Sequence, residues 1–171
     1  MIADGAVEVR IFVPDPEGTP LPEELLLPTQ THTANVAVTN SRQELPDTDG
    51  LITLNAALMP GVRTADCVPV MLFAPDIRAV AAVHAGWRGT VNGIVGVAVG
   101  KLTALGADPS AIKVWFGPSI CSGCYEVSPE LAADFADAGF GEAILEEQSG
   151  VKPHLDLQAV SYTHLRAHET V

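Results

Sequence analysis

Two apolar runs, residues 69–73 and 79–83, are the most continuous in the chain because few polar residues interrupt them. Runs of this length are typical of strands buried on both faces. The five residues between them fit the connection of a hairpin. We therefore expect these two strands to form the centre of a sheet. Other patterns predict further strands at residues 35–39, 51–54, 113–116 and 7–13, the last ended by Pro14 and Pro16.

Residues 90–105 carry apolar side chains at every third or fourth position, which predicts a helix. Thr90 is expected to cap its N-terminus and Gly106 to end it. Three glycines within this helix would each cost about 1 kcal/mol relative to alanine. Their presence predicts close packing against the sheet at Gly93, Gly96 and Gly100.

A second helix is predicted at residues 129–138, where Ser128 can cap the N-terminus and Pro129 occupies the first helical position. With 171 residues, 47% of them hydrophobic, the chain can build one substantial core. We expect an α+β (mixed α/β) fold, a single domain in which mixed β-sheets are layered with helices.

The charge balance limits the partners of the chain. The formal net charge is -12 with only nine basic residues, which argues against a nucleic acid partner. No apolar run approaches the roughly 20 residues that cross a bilayer, and the N-terminus lacks the pattern of a secretory signal. We therefore expect a cytoplasmic protein that binds a small molecule, with no nucleic acid and no membrane as partner. An anionic substrate would need local cations, for which Arg63 and Arg88 are the candidates.

A thiol and an imidazole lie at the ends of the two central strands. Cys67 precedes the first strand, His84 follows the second, and His32 lies upstream as a possible third partner. One Cys and two His leave one position of a tetrahedral zinc open, which is typical of catalytic rather than structural sites. The alternative for His84 alone is a buried histidine without a ligand, but its pairing with Cys67 favours a metal site.

Charged residues close to these positions have more than one interpretation. Arg88 and the predicted helix start near Thr90 follow His84, so that backbone N–H groups there would favour an anion. Asp66, beside Cys67, is either a partner of the metal site and proton acceptor or a cap of the strand end. Asp49 is either an active-site carboxylate or part of a turn.

Three cysteines are an odd number, which fits a reducing compartment better than a disulfide framework and leaves at least one thiol free. Cys121 and Cys124 have CxxC spacing, but a second pair of this kind is missing from the sequence. We therefore interpret them as loop cysteines rather than as a second metal site.

Five segments resemble, in the same order, a family once called multicopper polyphenol oxidase or laccase-domain proteins. Its members are described as purine nucleoside phosphorylases, and the bacterial ones also as peptidoglycan editing factors. The resemblance covers about residues 29–157 and rests on QTH (30–32), DTDGLIT (47–53), TADCVPV (64–70), VAAVHAGWRG (80–89) and GPSICSGCYEV (117–127).

The resemblance implies a cytosolic zinc enzyme whose substrates are a purine nucleoside and phosphate. Its implied activities are phosphorolysis of adenosine, inosine, guanosine and methylthioadenosine, and deamination of adenosine. Its zinc ligands fall on His32, Cys67 and His84. Arg88 fits an anion-binding role and Asp66 a catalytic one, while Cys124 lines the site region without being a principal ligand. Alternatives are a peptidoglycan-precursor editing hydrolase, a polyphenol oxidoreductase with Cu²⁺ in place of Zn²⁺, and an inactive fragment.

Both ends of the chain depart from the family pattern. We expect residues 1–28 to form an unplaced N-terminal segment with one strand, and residues 29–159 to form the zinc-binding domain without the family's C-terminal part. Residues 160–171 read as the translation of a common transposase-based sequencing adapter, so we predict a tail that the gene does not encode. His164 and His168 are excluded as ligands for this reason. The alternative is a genuine polar tail.

Overall fold

The computed structural model describes residues 2–3, 7–13, 17–145 and 152–169. It contains eleven strands and four α-helices among these residues. The strands are β1 (Ile2–Ala3), β2 (Glu8–Val9), β3 (Leu25–Leu26), β4 (Val36–Val38), β5 (Gly50–Thr53), β6 (Met59–Pro60), β7 (Val68–Ala74), β8 (Ala79–Ala85), β9 (Lys113–Phe116), β10 (Ile144–Leu145) and β11 (His154–Leu155). The helices are α1 (Trp87–Val91), α2 (Ile94–Ala104), α3 (Pro129–Asp137) and α4 (Leu157–Glu169).

A five-stranded mixed sheet with the order β4-β5-β8-β7-β9 forms the centre of the fold. The hairpin of β7 and β8 occupies its middle, as the apolar runs predict, and nearly all residues of both strands are buried. Helix α2 packs against β8, β5 and β4, while α4 packs against α2 and α1. The α+β prediction, with sheets layered with helices in one domain, is confirmed. Within the described residues, no helix combines the length and apolarity that crossing a bilayer requires.

The helix predicted at residues 90–105 is interrupted. It forms as α1 and α2, and between them Gly93 adopts a left-handed backbone with φ of 72°. The first helix begins at Trp87, with Gly86 as its N-cap, so Thr90 lies inside it and the prediction of Thr90 as N-cap is wrong. The glycine that ends the second helix is predicted correctly, since Gly106 follows Leu105 with a φ of 104°.

Close packing does not explain all glycines of this region. A methyl group added at Gly100 would meet no atom within 4 Å, so the predicted tight contact with the sheet is wrong at this position. Gly93 is explained instead by its positive φ, which a residue with a Cβ adopts only with strain.

The N-terminal segment forms less regular structure than its alternating pattern predicts. Of the strand predicted at residues 7–13, the described structure contains Glu8–Val9 as β2, and its partner β1 is two residues long. Ile11, Phe12 and Val13 are exposed. Residues 14–16, predicted to end the strand, lie outside the described residues. Strand β3 pairs in parallel with β6, so residues 1–28 contain more than the one strand predicted.

The C-terminal part of the chain contains the predicted helix α3 and, in α4, most of the residues predicted to be a non-native tail. Helix α3 begins as predicted, because the Ser128 hydroxyl accepts a hydrogen bond from the backbone N–H of Leu131. Most of the tail lies in α4, where Val160 and Leu165 are buried against the core. The Ser161 hydroxyl in the same helix is fully buried and has no hydrogen-bond partner within the described structure. The non-native origin of these residues stays a prediction.

Candidate metal site

Three segments bring His32, Cys67 and His84 together at one end of the central sheet. Strands β7 and β8 are antiparallel and pair Val68 with Ala85, so the start of one strand lies beside the end of the other. Cys67 immediately precedes the first strand, and His84 is the penultimate residue of the second. His32 comes from the loop before β4. One donor atom from each of the three residues lies within 4.8 Å of the others.

The donor set fits a divalent metal. Tetrahedral zinc with ligand bonds of about 2.0–2.3 Å places its donors roughly 3.3–3.6 Å apart, so a small inward movement would complete the site. The rings of the two histidines meet edge to face, with centroids 4.9 Å apart. His84 is buried, Cys67 is half-buried and His32 is exposed, so the cluster opens to solvent at His32. A fourth ligand or a substrate atom can approach from that side.

Asp49 is fully buried and lies behind the two histidines. Its Oδ1 is 2.8 Å from Nδ1 of His84 and accepts the backbone N–H of His32 at 3.0 Å. Its Oδ2 accepts the backbone N–H groups of Thr31 and Thr33 at 3.2 and 2.7 Å, and the Thr33 hydroxyl at 2.9 Å. Burial raises the pKa of Asp49, but the hydrogen bonds from His84, Thr33 and Thr31 outweigh it and leave this pKa below its ordinary value. Asp49 is therefore an acceptor at the site, whereas the sequence left its role open.

Hydrogen bonds of Gln30 join the loop of His32 to the loop that leads to Cys67. The Gln30 side chain donates to the carbonyl oxygen of Arg63 at 2.8 Å and accepts from its N–H at 2.7 Å. The Thr64 hydroxyl donates to the carbonyl oxygen of Cys67 within the second loop. His32 itself has a left-handed backbone, with φ of 64°. Both loops are thus fixed relative to each other by side-chain contacts to the backbone.

Gly86 lies next to all three candidate ligands and leaves space for their side chains because it has no Cβ. A Cβ at this position would lie 3.0 Å from Cδ2 of His32, 3.1 Å from Sγ of Cys67 and 3.6 Å from Cε1 of His84. The first two distances are shorter than ordinary contacts, so only glycine leaves the three side chains undisturbed. Sequence reasoning missed this role, although the glycine two residues after His84 was a visible signal.

The Cys67 thiol is less acidic than an ordinary cysteine. Burial raises its pKa, and the negative charges of Asp66 and Asp49 raise it further. A metal that binds here must therefore displace the thiol proton. Asp66 is exposed, and its backbone carbonyl accepts the N–H of Ile120 at 2.9 Å. The carboxylate that contacts His84 is Asp49, so Asp66 keeps its predicted catalytic role only as a prediction.

Arg88 and Trp87 lie on the helix that follows the site. The Arg88 side chain is exposed, and its guanidinium carbon is 4.7 Å from the centre of the Trp87 ring. Helix α1 has only five residues, so its dipole is small. The positive charge of Arg88 is therefore the feature here that would attract an anion. Arg63 is also exposed.

The segment after β9 contains the two remaining cysteines. Cys121 and Cys124 form a disulfide, because the tight turn between them brings their Cα atoms to 5.2 Å. The odd number of cysteines did not predict this disulfide, whereas the prediction that at least one thiol stays free is confirmed by Cys67. The next residue, Tyr125, is half-buried. Burial raises its pKa, and the charges of Cys67 and Asp66 raise it further, so its ring belongs to the surroundings of the site. Sequence reasoning missed Tyr125, although it lies next to Cys124 in a segment that carries the family resemblance.

Fold and site together define an α+β protein with a candidate His–Cys–His metal site at one end of its central sheet. The profile of the family described as "Multi-copper polyphenol oxidoreductase laccase" matches residues 17–170. The chain belongs to this family, which confirms the resemblance drawn from the five sequence segments. The matched region extends beyond both ends of residues 29–157.

Two similar proteins are named for reactions of purine nucleosides. The chain is 37% identical over 151 residues to "Adenosine deaminase RL5" from an unknown prokaryotic organism, covering 81% of this chain and 58% of the relative. It is 37% identical over 161 residues to a purine nucleoside phosphorylase of Streptomyces coelicolor, covering 88% of this chain and 65% of that protein. The chain thus spans less than two thirds of the length of either relative.

Solved structures confirm the fold. The crystal structure of the hypothetical protein YfiH from Bacillus licheniformis superposes with a TM-score of 0.78 at 28% identity, covering 85% of this chain and 60% of that one. YlmD from Geobacillus stearothermophilus superposes with a TM-score of 0.72 at 29% identity, covering 87% of this chain and 60% of that one.

Proposed function

We propose that this chain is the metal-binding part of a cytoplasmic purine nucleoside phosphorylase. The observation that carries the proposal is the cluster of His32, Cys67 and His84, which opens to solvent on one side. The phosphorylase from Streptomyces coelicolor supports the reaction class. In this reaction phosphate attacks the anomeric carbon of the ribose, the bond from that carbon to the purine nitrogen breaks, and the released base takes up a proton.

Zn²⁺ is the metal that we propose for the cluster, held by His32, Cys67 and His84. Two imidazoles and one thiolate leave a zinc ion with an open position, and zinc in such a site supplies Lewis acidity without redox chemistry. The family description favours Cu²⁺ as the alternative, because two His and one Cys also occur in copper sites. Metal analysis after growth with both metals separates the two, since copper without zinc would contradict this assignment.

The residues around the cluster have complementary proposed roles. The Arg88 guanidinium, exposed beside the site, would hold phosphate through charge-assisted hydrogen bonds. Asp66, an exposed carboxylate next to Cys67, would accept or return a proton. Neither residue is among the three proposed metal ligands, so each role can be tested in protein with a constant metal content.

The test is phosphate-dependent release of hypoxanthine from inosine, measured by chromatography on the purified chain loaded with zinc. We expect hypoxanthine only when phosphate is present, and at least tenfold less with Cys67→Ala. Arg88→Ala should raise the KM for phosphate with little change in the KM for inosine. The matched control is Lys101→Ala, which removes one positive charge from the exposed surface of α2. If folded, zinc-loaded protein converts no purine nucleoside, this activity is refuted for the chain.

Deamination of adenosine is a second candidate, because one of the relatives is named an adenosine deaminase. This reaction replaces the amino group of the purine with oxygen from water and releases ammonia. It needs no phosphate, so inosine formed from adenosine in phosphate-free buffer distinguishes it from phosphorolysis. If adenosine is converted to inosine at equal rates with and without phosphate, and no free adenine appears, the result would favour deamination alone.

A further inference from the structure

The Asp49 carboxylate is fixed in place by its own backbone. Its N–H donates to the carbonyl oxygen of Asn35 at 2.9 Å, and its carbonyl oxygen accepts the N–H of His84 at 2.7 Å. The residue lies directly before β5, and its relative exposure is 0%. A buried carboxylate needs hydrogen-bond donors on both oxygens, and Asp49 has them.

The two oxygens divide five donors between them. Oδ1 contacts His84 Nδ1 and the His32 N–H, whereas Oδ2 accepts the two N–H groups that flank His32 in sequence and one hydroxyl. One side chain therefore contacts the ring of one candidate ligand and the backbone on both sides of the other.

We propose that Asp49 is the positioning residue of the metal site, acting on both histidines at once. By accepting the Nδ1 proton of His84, the carboxylate leaves Nε2 with its lone pair for a metal. By holding the three N–H groups of residues 31–33, it stabilises the left-handed backbone of His32 and presents this side chain to Cys67. The inference rests on the proposed metal-binding function but not on any particular reaction.

An asparagine at position 49 cannot replace the carboxylate, although its shape is nearly the same. If its NH₂ group points to the Oδ2 side, it meets two N–H groups and the loop of His32 loses its acceptor. If the NH₂ group points to the Oδ1 side, it donates to Nδ1 of His84, which then carries its proton on Nε2 and cannot bind a metal through that atom. Either orientation impairs one of the two histidines.

The first experiment uses the unchanged protein. Nitrogen-15 NMR of the histidine rings, with the His84 signals assigned by their loss in His84→Gln, reports which nitrogen carries the proton. We expect the Nδ1–H tautomer of His84 without metal, and a shift of the Nε2 signal when zinc is added. A neutral Nε2–H tautomer, or zinc bound through Nδ1, overturns the proposal whether or not any variant folds.

The second experiment compares Asp49→Asn with Asp47→Asn. Asp47 lies in the same turn, is exposed, and accepts a bond from the Thr31 hydroxyl, while its left-handed backbone suits asparagine. Zinc affinity is measured by competition with a chromophoric chelator. We expect a loss of about 10- to 100-fold with Asp49→Asn, and less than a twofold change with Asp47→Asn. Equal affinities of the two variants contradict a positioning role.

The outcome is separable from that of the proposed activity. If the protein binds zinc with the expected tautomer but converts no nucleoside, the positioning role stands and the proposed reaction fails. If phosphorolysis is found and Asp49→Asn leaves both zinc affinity and the His84 tautomer unchanged, the reaction stands and the positioning role fails.

Discussion

Replacing Gly86 with alanine tests the geometry of the candidate site with the addition of a single methyl group. The backbone of Gly86, with φ of -74° and ψ of 168°, is one that alanine also adopts, so the substitution adds no backbone strain. The methyl group would, however, lie 3.0 Å from a ring carbon of His32 and 3.1 Å from the sulfur of Cys67. The substitution therefore acts on the ligands rather than on the fold.

The magnitude follows from the contact distances. Carbon atoms prefer separations of about 3.5–4.0 Å, so the His32 ring must retreat by roughly 0.5 Å or more. Metal sites tolerate only about 0.2 Å of error in ligand distances. Overpacking of this kind typically costs about 1–3 kcal/mol. Because His32 is exposed and can turn away when no metal is bound, we expect most of this cost in the metal-bound state. The zinc affinity should then fall about 5- to 150-fold, since each 1.4 kcal/mol is about tenfold.

The assay is competition for zinc with a chromophoric chelator, supported by thermal unfolding with and without zinc. At saturating zinc, a tenfold loss of affinity lowers the stabilisation by zinc by about 1.4 kcal/mol. Gly100→Ala is the matched control, because a methyl group there meets nothing within 4 Å. It should leave zinc affinity unchanged. If Gly86→Ala binds zinc within twofold of the unchanged protein, the three residues do not bind a metal in the arrangement described.

Three further predictions concern stability and the origin of the chain. Thr90→Val should leave the free energy of unfolding unchanged or raise it, because the buried Thr90 hydroxyl has no hydrogen-bond partner among the described residues; a loss of about 1 kcal/mol in chemical denaturation would instead identify Thr90 as a cap. Ser128→Ala should lower the stability by about 1 kcal/mol, also measured by denaturation, because it removes the cap of α3; an unchanged stability would contradict this capping role. Sequencing of the source locus past Ala159 should show a continuation other than SYTHLRAHET, and finding that sequence there would refute the adapter origin.

The central sheet could be predicted because its signal is local. A continuous apolar run is typical of a strand buried on both faces, and the short connection between two such runs leaves a hairpin as the simplest arrangement. Once β7 and β8 are paired, Cys67 and His84 must lie at the same end. The proximity of these two residues therefore follows from the sequence pattern.

The break between α1 and α2 could not be predicted in the same way. Apolar spacing continues through Gly93, so the pattern favours one helix, and helical propensity merely records a cost for glycine. The early start of α1 depends on how the chain leaves β8, since the Thr90 N–H bonds to the carbonyl oxygen of Gly86. This backbone hydrogen bond depends on the conformation of the turn after β8, which the residue types in the turn do not determine.

The two histidines show why the candidate ligands are easier to find in the sequence than the residues that position them. A metal ligand must be one of a few residue types, so Cys67, His84 and His32 were visible candidates. The support instead consists of backbone N–H groups gathered by Asp49 and of space left by Gly86, and any residue has an N–H. His84 is positioned by the hydrogen bond of its ring to Asp49 and by its place in β8. His32 lies in an exposed loop, and its position depends on the hydrogen bonds that Asp49 accepts from that loop. The least constrained candidate ligand thus faces the open side of the site.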